Sequence, residues 1–264
     1  ASGSVFTNNN ISANWYGQVE DRQVGGSLPT PGTTNLKNFS GNWFGTATPT
    51  VTATAGAEPG YAMQIPVAFG GTAVAPGGQP DLLGLASANI DYSPLLVSGT
   101  DTNVETNVGW GTYGFQGNFN LLQVTTAGAQ VGSLSRIQEG IDRATSGGTV
   151  RVLTGTYAGN VDATSNSVTL VAGNGTAPGQ VTVNGNFTLS NNDTVAATIN
   201  GKMATDYTSW SVNGGVTLGG ATLTVNGSYV PVAGDVFNIV PNDSNDSVGG
   251  LFGSFAEGSV ITTL

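Results

Sequence analysis

The segment PNDSNDSVGG, residues 241–250, sets side-chain oxygens at alternating positions on Asp243, Asn245 and Ser247, with Asn242 and Asp246 adjacent. Hard cations take such oxygens, and calcium accepts a mixture of carboxylate, amide and hydroxyl ligands. The loop lacks the glycine at its sixth position and the distant glutamate of an EF-hand, so a polar hairpin tip is the competing reading. No other cofactor is expected. GTDTNVET, with Asp101 and Glu105, is a weaker version of the same pattern.

Acid–base and nucleophilic catalysis near neutral pH most often recruit histidine or cysteine, and the chain has neither. Glycoside hydrolysis needs two facing carboxylates, for which Asp81 and Asp91 are candidates. Their flanks, GQPDLLG and NIDYSPLL, are turn-like, with the Asp side chain bonding the following backbone. The six cations are Arg22, Lys37, Arg136, Arg143, Arg151 and Lys202. Lys37 and Lys202 are formally able to close isopeptide bonds to Asn or Asp, but nothing around either one favours it. No enzymatic activity is expected.

Aromatic residues offer another chemistry. Asn14-Trp15-Tyr16-Gly17 and Asn42-Trp43-Phe44-Gly45 repeat one motif at an interval of 28 residues. Exposed rings could stack on sugars, yet equivalent aromatics at a fixed interval fit better as a pile inside a coil, where burial and offset stacking reward them. Asn14 and Asn42 then sit at corners and satisfy backbone groups as a short asparagine ladder.

The elements that would position these residues are mostly strands. Charged residues make up 8% of the chain, glycine contributes 41 of 264 residues, and Val, Thr, Ile and aromatics fill the runs between Gly and Asn punctuation. Residues 1–97 read as short coils with Gly/Pro-rich loops, and 98–132 as a linker in which Trp110, Tyr113 and Phe115 pack down. One helix is expected over 133–148: Leu134, Ile137, Ile141 and Ala144 share a face, Ser135 and Gln138 match a capping box, and Gly147 and Gly148 stop it. From 149 to 264, strands of about 4 to 6 residues follow one another with Gly and Asn at the corners. Such regularity fits a β-solenoid. The rival is a sandwich, in which VNGN and VNGG form two-residue hairpin turns.

The formal charge of −10 leaves no basic footprint for nucleic acid or an anionic membrane surface. No apolar run reaches the roughly 18 residues of a membrane span, so membrane insertion is not expected. The absence of cysteine excludes disulfides and thiolate sites. ASGSVFTNNN opens within a repeat and GSVITTL closes on an apolar strand, which suggests a processed piece of a longer precursor.

The order NWYG or NWFG, NIDYSPLL, GFQGNF and SRIQEGIDRATSGGTVRVLTGTYAGNV resembles exported bacterial proteins of the right-handed parallel β-helix, pectate-lyase-like superfamily. The stretch GGATLTVNGSYVPVAGDVFNIVPNDSNDSVGGLFGSFAEGSVI is similar to the end of autotransporter-like and filamentous-haemagglutinin-like passenger repeats. The resemblance implies an all-β fold, a right-handed parallel β-helix with one short amphipathic capping helix and a β-rich C-terminal part, and an extracellular, bacterial cell-surface location. It implies no single activity. A lyase of this kind would pair an acidic calcium cluster with an Arg or Lys base, and none of the six cations lies in a recognisable carboxylate cluster.

The expected function is structural: a secreted subunit that pairs head to tail with identical copies into a filament or surface layer. The expected contacts are the terminal segments, through Val5, Phe6 and Ile11 at one end and Leu251, Phe252, Phe255, Val260 and Ile261 at the other. The alternative is an adhesive module that binds extracellular polysaccharide, which needs Trp15, Trp43, Trp110 or Trp210 exposed. A polysaccharide lyase ranks third.

Overall fold

The computed structural model describes residues 6–12, 19–20, 36–51, 82–83, 89–102, 114–243, 245–253 and 255. The chain divides into two compact units, one of residues 1–118 and 127–132, the other of 119–126 and 133–264.

The first unit holds β1 (Val19–Glu20), β2 (Lys37–Asn38), β3 (Leu82–Leu83), β4 (Ile90–Asp91), β5 (Leu95–Leu96), β6 (Gly99–Thr102) and β7 (Gly114–Gly117). β1 pairs with β3 and β2 with β4, both parallel, while β6 and β7 run antiparallel. Its core is Phe44, Leu82, Ile90, Tyr92 and Leu95, with Ile11, Val19 and Phe39 packed against it. Phe44 and Tyr92 meet edge to face at 6.3 Å between ring centroids, a favoured aromatic geometry.

The second unit is a β-solenoid of about five turns. Its elements are β8 (Leu121–Val124), α1 (Arg136–Arg143), β9 (Gly148–Val152), β10 (Gly155–Ala158), β11 (Val161–Asp162), β12 (Val168–Ala172), β13 (Gln180–Asn184), β14 (Phe187–Thr188), β15 (Thr194–Thr198), β16 (Ser209–Val212), β17 (Val216–Thr217), β18 (Thr222–Asn226) and β19 (Val248–Gly249). Three parallel sheets wrap it: β8-β9-β12-β15-β18, β10-β13-β16 and β11-β14-β17-β19. Every ladder in it is parallel, so VNGN and VNGG are not hairpins. They are the corners between the second and third sheets, and the sandwich reading falls.

Alternation of side chains builds the coil interior. Leu122, Val150, Leu170, Val195 and Leu223 stand in one inward column; Tyr157, Val183 and Val212 form a second, and Val161, Phe187, Val216 and Val248 a third. Each fully buried member contributes roughly 1.5–3 kcal/mol over its exposed state. The corners demand glycine for stacking. A Cβ on Gly185 would stand 2.5 Å from the Gly159 carbonyl oxygen, and one on Gly214 would stand 2.8 Å from the Gly185 carbonyl carbon.

The helix interrupts the strand series between β8 and β9. Ser135 caps it, accepting from the Gln138 amide at 3.1 Å and donating to the Asn160 carbonyl at 2.7 Å. Ile137 and Ile141 are fully buried and Ala144 nearly so. Two expectations are corrected. Leu134 precedes the cap and is 49% exposed, because the helix starts at Arg136 and its first apolar position is Ile137. Gln138 does not close the capping box: its amide donates to the Asp142 carboxylate and the Asp162 carbonyl, and its oxygen accepts from the Asp162 amide. Residues read as a linker, 98–132, hold β6, β7 and β8.

Candidate functional site

The last coil departs from the rest of the solenoid. Among the described residues β18 is the outermost strand of the first sheet at this end and β19 that of the third. In the third inward column the exposure is 1% at Val161, 0% at Phe187, 2% at Val216 and 43% at Val248. In the first, Val195 is fully buried and Leu223 only half-buried. Val248, in a column buried at its other three positions, is partly open to solvent. Leu251 and three valines, Val230, Val232 and Val236, add exposed apolar surface.

The excursion that carries those valines is fastened by Asp235. Its carboxylate accepts from Lys202 Nζ at 2.5 Å, from the Tyr229 hydroxyl at 2.7 Å and from the Val232 amide at 2.8 Å. Phe237 sits edge to face between Tyr207 and Tyr229, at 5.3 and 5.8 Å. The Lys202 ammonium, then the Val232 amide, pulls the Asp235 carboxyl down to about 2, and the Asp235 carboxylate raises Lys202 in turn. Both partners are held charged, whereas an isopeptide bond needs a neutral amine. The geometry is that of an ion pair.

In the loop read as a cation site, Asp243 accepts from the Asn245 amide and from its side chain, each at 2.9 Å. Asn242 spans the turn to the Asp246 carbonyl and carboxylate at 3.0 and 2.7 Å, and Ser247 is exposed. The loop is not a hairpin tip: Asn242 bridges in parallel to Val212, so it is the corner of the last coil. Among the described residues no group of three or more acidic, His or Cys side chains converges as a metal site would need.

Asn42 is fully buried and serves backbone groups. Its oxygen accepts from the Asn9 amide at 2.9 Å, and its nitrogen donates to the Phe6 and Phe39 carbonyls at 2.6 and 2.7 Å. Phe44 is fully buried, Trp43 half-buried and Gly45 exposed at φ +84°. Asn14, Trp15, Tyr16 and Gly17 lie outside the described residues, as do Trp110, Asp81, Val5, Val260 and Ile261. Asp91 is buried; it accepts from the Ser93 amide at 3.3 Å, as in a turn, and from the Val131 amide, 40 residues on, at 2.7 Å, which ties two distant segments together.

Of the expected contact residues, Phe6 is 46% exposed and lies against Phe39 at 5.3 Å. Ile11 packs on the first unit's own core and its amide donates to the Trp43 carbonyl at 2.7 Å, so it is spent within the chain. Phe252 and Phe255 are half-buried, and Leu251 is 48% exposed. Trp210 is fully buried, packed on Phe187 at 5.4 Å, and offers no sugar platform.

The sequence reading missed a real asparagine ladder in the solenoid. Asn160 accepts from the Asn186 amide at 2.9 Å, 26 residues on, and Asn186 from the Gly215 amide at 3.0 Å, 29 residues on. Its signal was the recurrence of Gly-Asn-apolar at Gly159-Asn160-Val161 and Gly185-Asn186-Phe187. A groove of about 400 Å³ lies beside the helix start, lined by Ser133, Leu134, Gln138, Asp142, Asn160 and Asp162 among others. Its amide and acid groups are largely engaged with one another, and Thr164 holds the Asp162 carboxyl below the usual range.

No family model matches the chain, and neither the curated proteins nor the solved structures contain a significant match. What stands of the sequence resemblance is the architecture, a β-solenoid. Among the described residues no helix is long and apolar enough to cross a membrane.

Proposed function

We propose that the protein is a non-enzymatic, extracellular structural subunit whose open last coil pairs with an identical copy, building a head-to-tail filament or surface layer. The observation that carries this reading is the unfinished inward column, buried at Val161, Phe187 and Val216 and exposed at Val248. A solenoid buries such a column only against a further coil. A contact of this kind does not close on itself, so copies add indefinitely. Thr and Asn rather than charge keep most of the surface wet, since charged residues are only 8% of the chain. The cell-surface location and the right-handed, pectate-lyase-like kinship belong to the same proposal. They are supported by the sequence resemblance and, for the hand, by the strong preference of parallel crossovers for right-handedness.

Negative-stain microscopy of the purified protein, with and without a chelator, tests it. Uniform fibres with a constant axial repeat are expected. Fibres lost in chelator would assign the loop of Asp243, Asn245 and Ser247 to calcium at the joint. Isolated rods at every concentration would end the filament reading and favour the adhesive module, with extracellular polysaccharide as the partner to seek.

A further inference from the structure

The outward face of the first sheet carries a feature that subunit pairing does not use. Thr149, Thr169, Thr194 and Thr222 are successive register partners on β9, β12, β15 and β18, a threonine row over four adjacent strands that Leu121 continues on β8. All four are half-buried residues at the outward positions of their strands. None of their hydroxyls makes a hydrogen bond to another described residue. The neighbouring row in the same register, Arg151, Val171, Ala196 and Thr224, holds one charge and no aromatic ring.

We propose that this threonine row is a binding face for ordered water, that is, for the surface of an ice crystal. Parallel strands set the row's repeat at about 4.8 Å, close to the oxygen repeat along one axis of ice. Each threonine presents a hydroxyl, one donor and two acceptor sites, beside a methyl group that water must enclose. The β-branch stiffens χ1, and the aliphatic column behind the sheet holds the backbone, so the array is ordered before it meets its ligand. A pyranose chain would instead call for a ring to stack on, and this face has none. A polyanion gains nothing from a row without cations in a chain of net charge −10.

The test uses the full chain and ice itself. Thermal hysteresis and crystal shape are measured for the wild type, for Thr194→Tyr in the row, for Thr222→Val, which keeps the methyl and removes the hydroxyl, and for Thr156→Tyr on the second sheet. The wild type and Thr156→Tyr are expected to shape ice alike. Thr194→Tyr should lose activity about tenfold with an unchanged far-UV spectrum, and Thr222→Val should lose part of it. If Thr194→Tyr does not fold, Thr222→Val decides. A folded wild type that leaves ice growth unaltered overturns the proposal, as does full activity in Thr222→Val or an equal loss in Thr156→Tyr. Wild type that leaves ice unaltered but pellets with crystalline cellulose or chitin, through the same threonines, overturns it in favour of a polysaccharide.

Discussion

Trp210 shows how much a single side chain decides in this fold. It fills the coil against Phe187, and its indole nitrogen is buried without a hydrogen-bond partner among the described residues. An unsatisfied buried donor costs about 1–3 kcal/mol, so the ring is kept for its bulk. Trp210→Phe, which keeps the stacked ring and removes the orphan donor, should therefore cost less than about 1.5 kcal/mol in urea denaturation. Trp210→Ala should cost about 3–5 kcal/mol. Equal losses in the two variants would mean that the nitrogen has a partner after all. Asp235 makes a second prediction at this scale. Its folded pKa, about 2, lies below the unfolded value near 4. The stabilisation it gives is thus complete above pH 4 and lost as pH falls toward 2. Protease cleavage within 227–237 should rise over that interval, as probed with an acid-active protease, and Asp235→Asn should be cleaved readily at pH 5 already. Identical cleavage of the two proteins at pH 5 would remove Asp235 from the role of fastener.

Among the elements, the helix was the most legible in sequence and still carried an error. Spacing found Ile137 and Ile141 because a helix repeats its buried face every three or four residues. It placed Leu134 on that face as well, since periodicity continues past a cap that only backbone geometry reveals. Ser135 does double duty as the cap and as a donor to the next coil. Ser135→Ala is expected to cost about 1–2 kcal/mol in thermal or urea unfolding, more than Ser133→Ala, which should stay near zero. Comparable effects would deny the cap its importance. Short alternating runs with Gly and Asn corners were enough to read a solenoid over 149–264. They were not enough to find the Asp235 fastener, because Lys202 is brought to it only by the stacking of successive coils. The asparagine ladder expected at Asn14 and Asn42 falls partly outside the described residues, and the one at Asn160 and Asn186 was overlooked because coils of unequal length hide the repeat.

At the scale of the molecule, the proposed joint lies where Val248 and Leu251 expose apolar surface among the described residues. Val248 and Leu251 are the residues to change, because both expose nearly half of their surface. Phe252 and Phe255, half-buried, would confound assembly with folding. A carboxylate at either exposed site places an unpaired charge in any apolar joint, a cost of several kcal/mol that should cut the association constant by about 100-fold or more while leaving the subunit folded. The measurement that bears most directly on the proposal is sedimentation velocity of the wild type, Val248→Asp and Leu251→Asp over a wide range of concentration. Wild type is predicted to grow into an open series of oligomers with rising concentration, and both variants to remain as single subunits with wild-type far-UV spectra. A wild type that sediments as one species at the highest concentration, or variants that assemble as well as it does, would contradict the account.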